Sequence, residues 1–238
     1  MPQVVDRAEW VAVRKALLQK EKDLVHASDA LAAERRELPM VKVDKDYQFK
    51  GPNNSSLSLQ DLFGGKDQLI VYHFMFGPDD AEGCRGCAFL SEHFPDLRHL
   101  RTKNTAMVVV SRAPFEKLDA WKNKIGWTFP WYSSQGSDFN YDFHATLDEK
   151  VAPVEYNYRS KEELEARGQK IEGAADMPGL SVFFRKDGEI YHTYSSYSRG
   201  LDKLIGTMQL LDMTPLGRQA GSTGPAEYKL KYEYDDDA

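Results

Sequence analysis

The chain has 238 residues, carries a formal net charge of -6, and is 41% hydrophobic and 29% charged. These values are ordinary for a soluble globular protein and exclude a disordered chain or a fibrous repeat. The acidic balance argues against nucleic acid as a partner, because basic patches supply most of the binding energy toward phosphate. Only two cysteines occur, which is too few for a disulfide framework.

The sequence predicts no membrane-spanning or secretory segment. The N-terminus lacks a basic leader followed by an apolar stretch, so no secretory signal is expected. The longest apolar run, residues 69–76, is far below the roughly 18 residues that a membrane span requires. We therefore expect a cytoplasmic protein with no membrane partner. In a reducing cytosol, a closely spaced cysteine pair is typical of a catalytic or metal-binding site.

Residues 1–38 are predicted to form a helical extension, as one long helix or a helical hairpin. Residues 7–37 contain neither glycine nor proline, and Asp6 and Glu9 have the spacing of a capping box. Apolar residues recur at three-, four- and seven-residue spacings on one face. This face is formed by Trp10, Val13, Leu17, Leu24 and Leu31. We expect it to pack on the chain's own domain, with a homodimer contact as the alternative.

Residues 39–215 are predicted to form one α/β domain. The run 68–76 is apolar on both faces, which indicates a buried central strand. A second buried strand is predicted at 105–111 and a short edge strand at 129–133. Helices are predicted between these strands, one bent or restarted at Pro95. This alternation of strands and helices predicts a parallel sheet with right-handed crossovers.

The flanking segments of this domain are less regular. Two short strands between residues 40 and 49 favour a hairpin at the domain entry, and residues 136–176 are interpreted as an irregular insertion. The sequence Asp187-Gly188 between two apolar runs predicts an antiparallel hairpin, and a closing helix is predicted at 201–213. Residues 216–238 are polar and acidic, and we expect a mobile tail.

Cys84 and Cys87 lie between a predicted buried strand and a predicted helix, the arrangement that thiol–disulfide exchange needs. At the helix N-terminus, backbone N–H groups and the helix dipole favour the thiolate of Cys84, which would be the nucleophile. Cys87, one turn deeper, would resolve a mixed disulfide on Cys84. Arg85 adds a positive charge, but three acidic residues precede the pair. These charges oppose each other and leave the direction of the Cys84 pKa shift open.

The segments 57–133, 177–184 and 191–202 resemble the thioredoxin superfamily, and more narrowly the DUF899 family of predicted dithiol–disulfide oxidoreductases. The stretches that carry the narrower resemblance are Val71-Tyr72-His73-Phe74-Met75-Phe76-Gly77-Pro78, Ser111-Arg112-Ala113-Pro114 and Gly126-Trp127-Thr128-Phe129-Pro130-Trp131. Coverage is nearly end to end. The resemblance implies a thioredoxin-like fold, with a central mixed sheet flanked by helices, an N-terminal helical arm and a C-terminal antiparallel hairpin.

The resemblance also implies where a substrate would bind. Met177-Pro178 matches the cis-proline loop of thioredoxin, which would face the cysteine pair and present backbone to an incoming peptide. Arg85 and Arg199 are further candidates for substrate binding, Arg199 for an anionic group. Thioredoxin has a tryptophan directly before its first cysteine, whereas Gly83 stands here.

His73 in the central strand is the candidate proton acceptor for the second cysteine. Its neighbour Tyr72 is the other possibility, but histidine titrates closer to neutral pH. The competing interpretation is that His73 is a hydrogen-bonded core residue without a catalytic role.

The predicted function is thiol–disulfide oxidoreduction by Cys84 and Cys87. Its partners would be a protein or small-molecule disulfide or thiol and an external reductant, with no cofactor. No metal is expected, because the two cysteines and His93 fall short of four zinc ligands. A peroxiredoxin-like peroxidase is one alternative, although Glu82 and Arg85 occupy the threonine and cysteine positions of the Pro-x-x-x-Thr-x-x-Cys pattern. A non-catalytic binding or assembly protein with this fold is the other.

Overall fold

A computed structural model describes residues 2–169, 173–219, 221 and 224–234. In this part of the chain the α-helices are α1 (Arg7–Arg36), α2 (Leu59–Leu62), α3 (Arg85–Ser91), α4 (Leu97–Arg101), α5 (Phe115–Ile125), α6 (Phe139–Asp142), α7 (Lys161–Glu165) and α8 (Gly206–Leu211). The strands are β1 (Val41–Lys42), β2 (Gln48–Lys50), β3 (Ser56–Ser58), β4 (Gln68–His73), β5 (Thr105–Ser111), β6 (Trp131–Ser133), β7 (Thr146–Leu147), β8 (Glu155–Tyr156), β9 (Arg159–Ser160), β10 (Ala175–Asp176), β11 (Gly179–Lys186) and β12 (Glu189–Tyr197).

Eight of the twelve described strands form one large mixed sheet in the order β1-β12-β11-β4-β5-β6-β2-β3, while β7 pairs with β10 and β8 with β9 in two small sheets. Strands β4, β5 and β6 pair in parallel, with α3 and α4 in the first crossover and α5 in the second. The hairpin β11–β12 adds antiparallel to β4. The predicted fold class is therefore confirmed as a thioredoxin-like α/β fold with a central mixed sheet, an N-terminal helix and a C-terminal hairpin.

Local breakers set the limits of several elements. Asp187 and Gly188, at φ 54° and 84°, form the tight turn of the β11–β12 hairpin. Gly126 ends α5 in the left-handed region at φ 83°, where a side chain would be strained. The helix predicted to bend or restart at Pro95 is divided there into α3 and α4. The crossovers of the parallel layer thus follow the sequence signals closely.

Two apolar clusters cover the two faces of the sheet. One contains Tyr72 and Cys87 and lies under α3 and α5. The other contains Val71 and Phe139 and lies on the opposite face. Successive residues of β4 alternate between these clusters because strand side chains have a period of two. This alternation decides which residues of β4 can reach the cysteine pair.

The hairpin predicted at the domain entry is wrong. Strand β1 pairs with β12 at one edge of the sheet, whereas β2 pairs with β3 and β6 at the other. Because β2 pairs with β6, strand β6 does not lie at the edge of the sheet as predicted. Alternating side chains indicate an extended segment but do not identify its partner strand.

The N-terminal extension is the single helix α1. Oδ1 of Asp6 caps it by accepting a hydrogen bond from the Glu9 N–H at 2.9 Å. None of the thirty residues of α1, all of which are described, is buried, and Leu24 is 71% exposed. The expectation that its apolar face packs on the chain's own domain is therefore wrong. The homodimer contact remains a prediction.

Residues 224–234 pack against α3, so the predicted mobile tail is wrong for this segment. Leu230 is only 2% exposed and belongs to the cluster that contains Cys87. The Tyr228 ring stacks on Phe89 with centroids 3.9 Å apart. Net charge suggested a solvated tail, but these two apolar side chains bury enough surface to fix the segment. Residues 220, 222, 223 and 235–238 of the predicted tail lie outside the described part.

The helix predicted at 201–213 is shorter than expected. Its first part is the 3-10 segment Ser198–Leu204, and α8 follows it. Among the described helices, none combines the length and apolar character that a membrane crossing requires.

Candidate active site

The loop that follows β4 folds back on itself and delivers Cys84 to the start of α3. The Cys84 N–H donates to the Met75 carbonyl at 3.0 Å, and the Gly77 N–H donates to Oδ2 of Asp80 at 2.7 Å. Lys117 of α5 donates to the Pro78 carbonyl at 2.9 Å. These bonds fix both ends of the loop, so one backbone bond and two side-chain bonds set the position of Cys84.

The surroundings of Gly83 explain why glycine, and not tryptophan, precedes the first cysteine. A Cβ atom at this position would lie 2.6 Å from Cζ3 of Trp121 and 2.8 Å from Cε1 of Phe74. The Trp121 ring, contributed by α5, already fills the space beside the loop. The departure from thioredoxin is therefore a steric consequence of an indole that comes from another helix.

Cys84 is a half-buried free thiol at the N-cap of α3. A hydrogen bond from the Cys87 thiol, with further ones from the backbone N–H groups of Cys87 and Gly86, lowers the pKa of Cys84 to about 6. Burial and the charge of Asp80 act in the opposite direction but are outweighed. The Cys87 thiol and the backbone N–H groups at the helix N-terminus therefore favour the thiolate, a direction that the charges around the pair leave open in the sequence.

Cys87 has the opposite character. It is 2% exposed, and burial, followed by its interaction with Cys84, raises the pKa of its thiol well above the usual value. The pair thus consists of one accessible sulfur that ionises readily and one buried sulfur that keeps its proton. This asymmetry suits attack by one sulfur and later resolution by the other.

Tyr72, rather than His73, lies beside the cysteine pair. The Tyr72 hydroxyl hydrogen-bonds Cys87 and opposes the rise of the Cys87 pKa. Burial, and then its interaction with Cys87, raises the pKa of Tyr72 well above its usual value, so this residue remains a proton donor. Because strand side chains alternate between the two faces of a sheet, the sequence of β4 alone is enough to place Tyr72 and His73 on opposite faces.

His73 belongs to the opposite face of the sheet, and the structure does not bring it to the cysteines. Its Nε2 lies 2.9 Å from Oγ of Ser181, and its ring stacks on Phe139 with centroids 5.5 Å apart. Burial, reinforced by the nearby charge of His192, lowers the pKa of His73 to about 3. This environment matches the core interpretation of His73, and its position does not fit a proton acceptor for Cys87.

The Met177–Pro178 peptide bond is trans, which corrects the cis bond implied by the resemblance. The chain runs extended through this point, because β10 before it pairs with β7 and β11 after it pairs with β4. Pro178 borders the same cavity as both cysteines. Met177 instead donates its N–H to the Ala145 carbonyl at 2.9 Å and packs its side chain on the insertion.

Tyr156 of the insertion holds in place the part of the cavity wall that Pro178 forms. Its hydroxyl donates to the Pro178 carbonyl at 2.9 Å and accepts from the Ser198 N–H at 3.1 Å. Both Pro178 and Ser198 border the cavity beside the cysteines. The sequence alone assigns no role to Tyr156, and its only signal is that an otherwise polar insertion contains several aromatic residues.

The two predicted substrate-binding arginines are both engaged with carboxylates. The Arg85 guanidinium contacts both carboxylate oxygens of Glu233 at 2.6 Å. Arg199, whose side chain is 85% exposed at the cavity rim, pairs with Asp202 at 3.1 Å. Arg85 therefore ties the C-terminal segment to the cysteine helix, whereas Arg199 remains near the entrance of the cavity.

A cavity of about 290 Å³ adjoins the two cysteines. Its wall is mostly apolar and includes Pro178 and the C-terminal segment. The lining residues are Tyr72, Met75, Cys84, Gly86, Cys87, Leu90, Pro178, Ser198, Arg199, Leu201, Asp202, Ile205, Pro225 and Ala226. A site of this kind admits a small, largely apolar group to the Cys84 sulfur.

His93 does not join the cysteines as a metal ligand. Its Nδ1 lies 2.7 Å from the Phe89 carbonyl oxygen and its Nε2 lies 2.7 Å from Oγ1 of Thr207. In the part of the chain that the structure describes, no three His, Cys, Asp or Glu side chains are grouped so as to hold a metal ion.

The fold and the cysteine pair define a thioredoxin-like α/β protein. A family model described as "Bacterial protein of unknown function (DUF899)" matches residues 1–234. The chain therefore belongs to the DUF899 family. A comparison with curated proteins found no match.

Several solved structures are similar to this chain at low identity. A cysteine-to-serine mutant of PrxQ from Xylella fastidiosa is 12% identical, with 73% of this chain and 96% of that chain covered and a TM-score of 0.44. Peroxidoxin BcpB from Mycobacterium tuberculosis is 13% identical, with 73% and 96% covered and a TM-score of 0.40. A putative protein disulfide isomerase from Bacteroides thetaiotaomicron is 14% identical, with 74% and 90% covered and a TM-score of 0.38.

Proposed function

We propose that this protein is a thiol–disulfide oxidoreductase in which Cys84 attacks and Cys87 resolves. The observation that carries the proposal is the asymmetry of the pair. Cys84 is accessible with its pKa lowered to about 6, whereas Cys87 is buried with its pKa raised. At pH 7 a thiol with such a pKa is roughly 90% thiolate, so the nucleophile is ready without a separate base.

The reaction transfers two electrons from the protein to a disulfide. The Cys84 thiolate attacks one sulfur of a substrate RSSR, forms a mixed disulfide and releases RS⁻. The released thiolate takes up the Cys87 proton and leaves as RSH. The Cys87 thiolate then attacks Sγ of Cys84, forms the Cys84–Cys87 disulfide and releases a second thiolate. An external dithiol reduces the protein disulfide and is itself oxidised.

Tyr72 supports the second step. Cys87 must become a thiolate in a buried site, and an isolated buried charge is costly. The Tyr72 hydroxyl donates a hydrogen bond to this sulfur and stabilises the developing charge. Because burial keeps Tyr72 protonated, it acts as a donor and not as a base.

A stoichiometric experiment tests the proposal. The reduced protein is freed of reductant and mixed with dithiodipyridine, and the released thiopyridone is measured by absorbance. We expect two equivalents per wild-type chain together with an internal disulfide, one equivalent from Cys87→Ser with a mixed disulfide trapped on Cys84, and none from folded Cys84→Ser. A wild-type protein that releases one equivalent and forms no internal disulfide would contradict the proposal.

The same reduced protein separates the alternatives. A peroxidase would be oxidised by hydrogen peroxide faster than by any disulfide, although the threonine of the peroxiredoxin pattern is replaced by Glu82. A binding or assembly protein would keep its partners in the Cys84→Ser, Cys87→Ser double variant. An oxidoreductase loses its activity in that variant.

A further inference from the structure

The C-terminal segment 224–234 is fastened to the helix that carries the cysteines. Glu233 accepts two hydrogen bonds from Arg85, the residue directly after Cys84. Tyr228 stacks on Phe89 of the same helix with an interplanar angle of 6°, and Leu230 is buried in the core. A charge pair, an aromatic stack and an apolar anchor therefore hold the segment at three points.

This segment forms one wall of the cavity at the cysteines. A Cβ atom on Gly86 would lie 3.5 Å from the backbone nitrogen of Ala226 and 3.6 Å from Cβ of Pro225. Pro225 and Ala226 thus lie in van der Waals range of the turn between the two cysteines, and both border the cavity. The surface of α3 that a docked protein would contact is occupied by the chain itself.

The opposite wall offers little backbone for a peptide to pair with. Peptides commonly add to exposed strand edges through main-chain hydrogen bonds. Here the Met177 N–H is bonded to Ala145, the Pro178 carbonyl accepts from Tyr156, and proline has no N–H. Gly179, the next residue, is paired with His73 on one side and Tyr197 on the other. These contacts leave no free edge of the kind that the resemblance implied.

The remaining space suits a small molecule. The cavity volume of about 290 Å³ lies at the lower limit for small-molecule sites. Its inner surface includes Met75, Leu90, Leu201 and Ile205, and the charged groups at its rim, Arg199 and Asp202, already pair with each other. A compact and largely apolar ligand therefore fits better than a charged one.

We propose that segment 224–234 restricts this site to low-molecular-weight, apolar disulfides and excludes disulfides of proteins. This inference rests on the proposed oxidoreductase function and names its substrate class. The electrons follow the reaction given above: the small disulfide is reduced to two thiols, the Cys84–Cys87 pair is oxidised, and a dithiol restores the pair. Opening the segment should admit larger disulfides.

The test compares two substrates on the full-length reduced protein. Single-turnover rates are measured with dithiodipyridine as the small apolar disulfide and with insulin as the protein disulfide. We expect the wild type to favour dithiodipyridine over insulin more strongly than dithiothreitol does under the same conditions. The quantity compared is the ratio of the dithiodipyridine rate to the insulin rate, because this ratio cancels any change in the intrinsic reactivity of Cys84. A wild-type ratio equal to that of dithiothreitol would overturn the inference.

Two variants open the wall in different ways. Deletion of residues 224–238 removes the segment, and Glu233→Arg places like charges opposite Arg85 while keeping the core anchor Leu230. Both should lower the preference by about tenfold or more, the scale on which a shaped pocket discriminates. Should the deletion fail to fold, as judged by circular dichroism, Glu233→Arg decides. A ratio unchanged in the folded variants would also overturn the inference.

Glu149→Arg is the matched control, because it makes the same charge change at an exposed ion pair with Lys161 in the insertion. Its ratio should equal that of the wild type, and an equal fall in the control would show that charge alone is responsible and would overturn the inference. Failure of the proposed function is a different result: neither disulfide would oxidise the cysteine pair, and Cys87→Ser would trap no mixed disulfide.

Discussion

Tyr72 and His73 are consecutive residues of β4, yet they face opposite sides of the sheet. The Tyr72 hydroxyl donates a hydrogen bond to the Cys87 sulfur, whereas the His73 ring stacks on Phe139. Tyr72→Phe should therefore slow the second thiol release, because Cys87 loses a donor to its thiolate. A hydrogen bond to a charged group contributes about 1.5–3 kcal/mol, so a decrease of roughly tenfold to a hundredfold is expected. Rapid-mixing absorbance with dithiodipyridine resolves the two releases.

The adjacent residue supplies the control for this prediction. His73→Asn lowers stability by disturbing the bond to Ser181, but it should leave both release rates and their pH profiles unchanged. In Tyr72→Phe the pH profile of the second release should move to higher pH, while the first release keeps its profile. Equal slowing of both steps would indicate a general structural effect and contradict the assignment.

The reactivity of Cys84 should depend on pH in a defined window. Its pKa is lowered to about 6 in the folded protein from an ordinary value of 9.0. The thiolate is therefore present above pH 6 and is protonated as the pH falls below it, so the alkylation rate should drop about tenfold per pH unit there. Iodoacetamide labelling followed by mass spectrometry gives the profile.

The same labelling in guanidinium chloride is the reference, because the helix N-terminus is lost on unfolding. The inflection should then move upward toward the ordinary value, and Cys87 should become reactive as well. A folded protein whose Cys84 profile coincides with the unfolded one would show that α3 does not stabilise the thiolate.

Gly83→Ala should destabilise the fold, since the added methyl would lie 2.6 Å from the Trp121 ring. Overpacking of this kind costs about 1–3 kcal/mol, which urea unfolding measures as a lower midpoint. Gly86→Ala is the matched control. Its new Cβ meets its nearest neighbour at 3.5 Å, an ordinary contact, and alanine favours the helix. A similar loss in both variants would contradict the steric explanation.

Helix α1 should mediate a homodimer, because the rest of the described chain buries none of the residues on its apolar face. Sedimentation should show a dimer for the wild type and a monomer for the Leu17→Glu, Leu24→Glu double variant, since two buried carboxylates are costly at an interface. The variant should retain the circular dichroism of the folded domain. A wild-type protein that stays monomeric at all concentrations tested would contradict the predicted homodimer.

The parallel layer was predictable because its signals are local. Strand β4 is apolar on both faces, Pro95 separates α3 from α4, and Gly126 ends α5. The cysteine pair was found on the same basis, since its chemistry depends on residues within one turn of α3.

The remaining parts of the site depend on contacts between distant residues. Arg85 and Glu233 are 148 positions apart, and Tyr156 reaches a carbonyl 22 positions away. Neither pairing leaves a periodic pattern in the sequence. Titration range favours His73 over Tyr72 as the proton acceptor, but the face of the strand decides which side chain meets the sulfur.

Arg112 and Asp176 form a largely buried ion pair that links the parallel sheet to the segment before Pro178. Nε of Arg112 donates to Oδ1 of Asp176 at 2.7 Å, with side chains 18% and 10% exposed, and Thr146 donates to the same oxygen. Asp176→Asn should destabilise the protein by about 2 kcal/mol, because it leaves a buried guanidinium without its counter-charge. The same substitution should also loosen the part of the cavity wall that Pro178 forms.

Urea unfolding measures the stability change, and the thiopyridone rate reports on the wall. Glu82→Gln is the control, because it breaks the exposed pair between Glu82 and Lys124, whose side chains are 48% and 51% exposed. Exposed pairs contribute about 0–1 kcal/mol, so this variant should unfold at nearly the wild-type urea concentration. If Asp176→Asn behaved like this control, the ion pair would not hold the sheet and the insertion together.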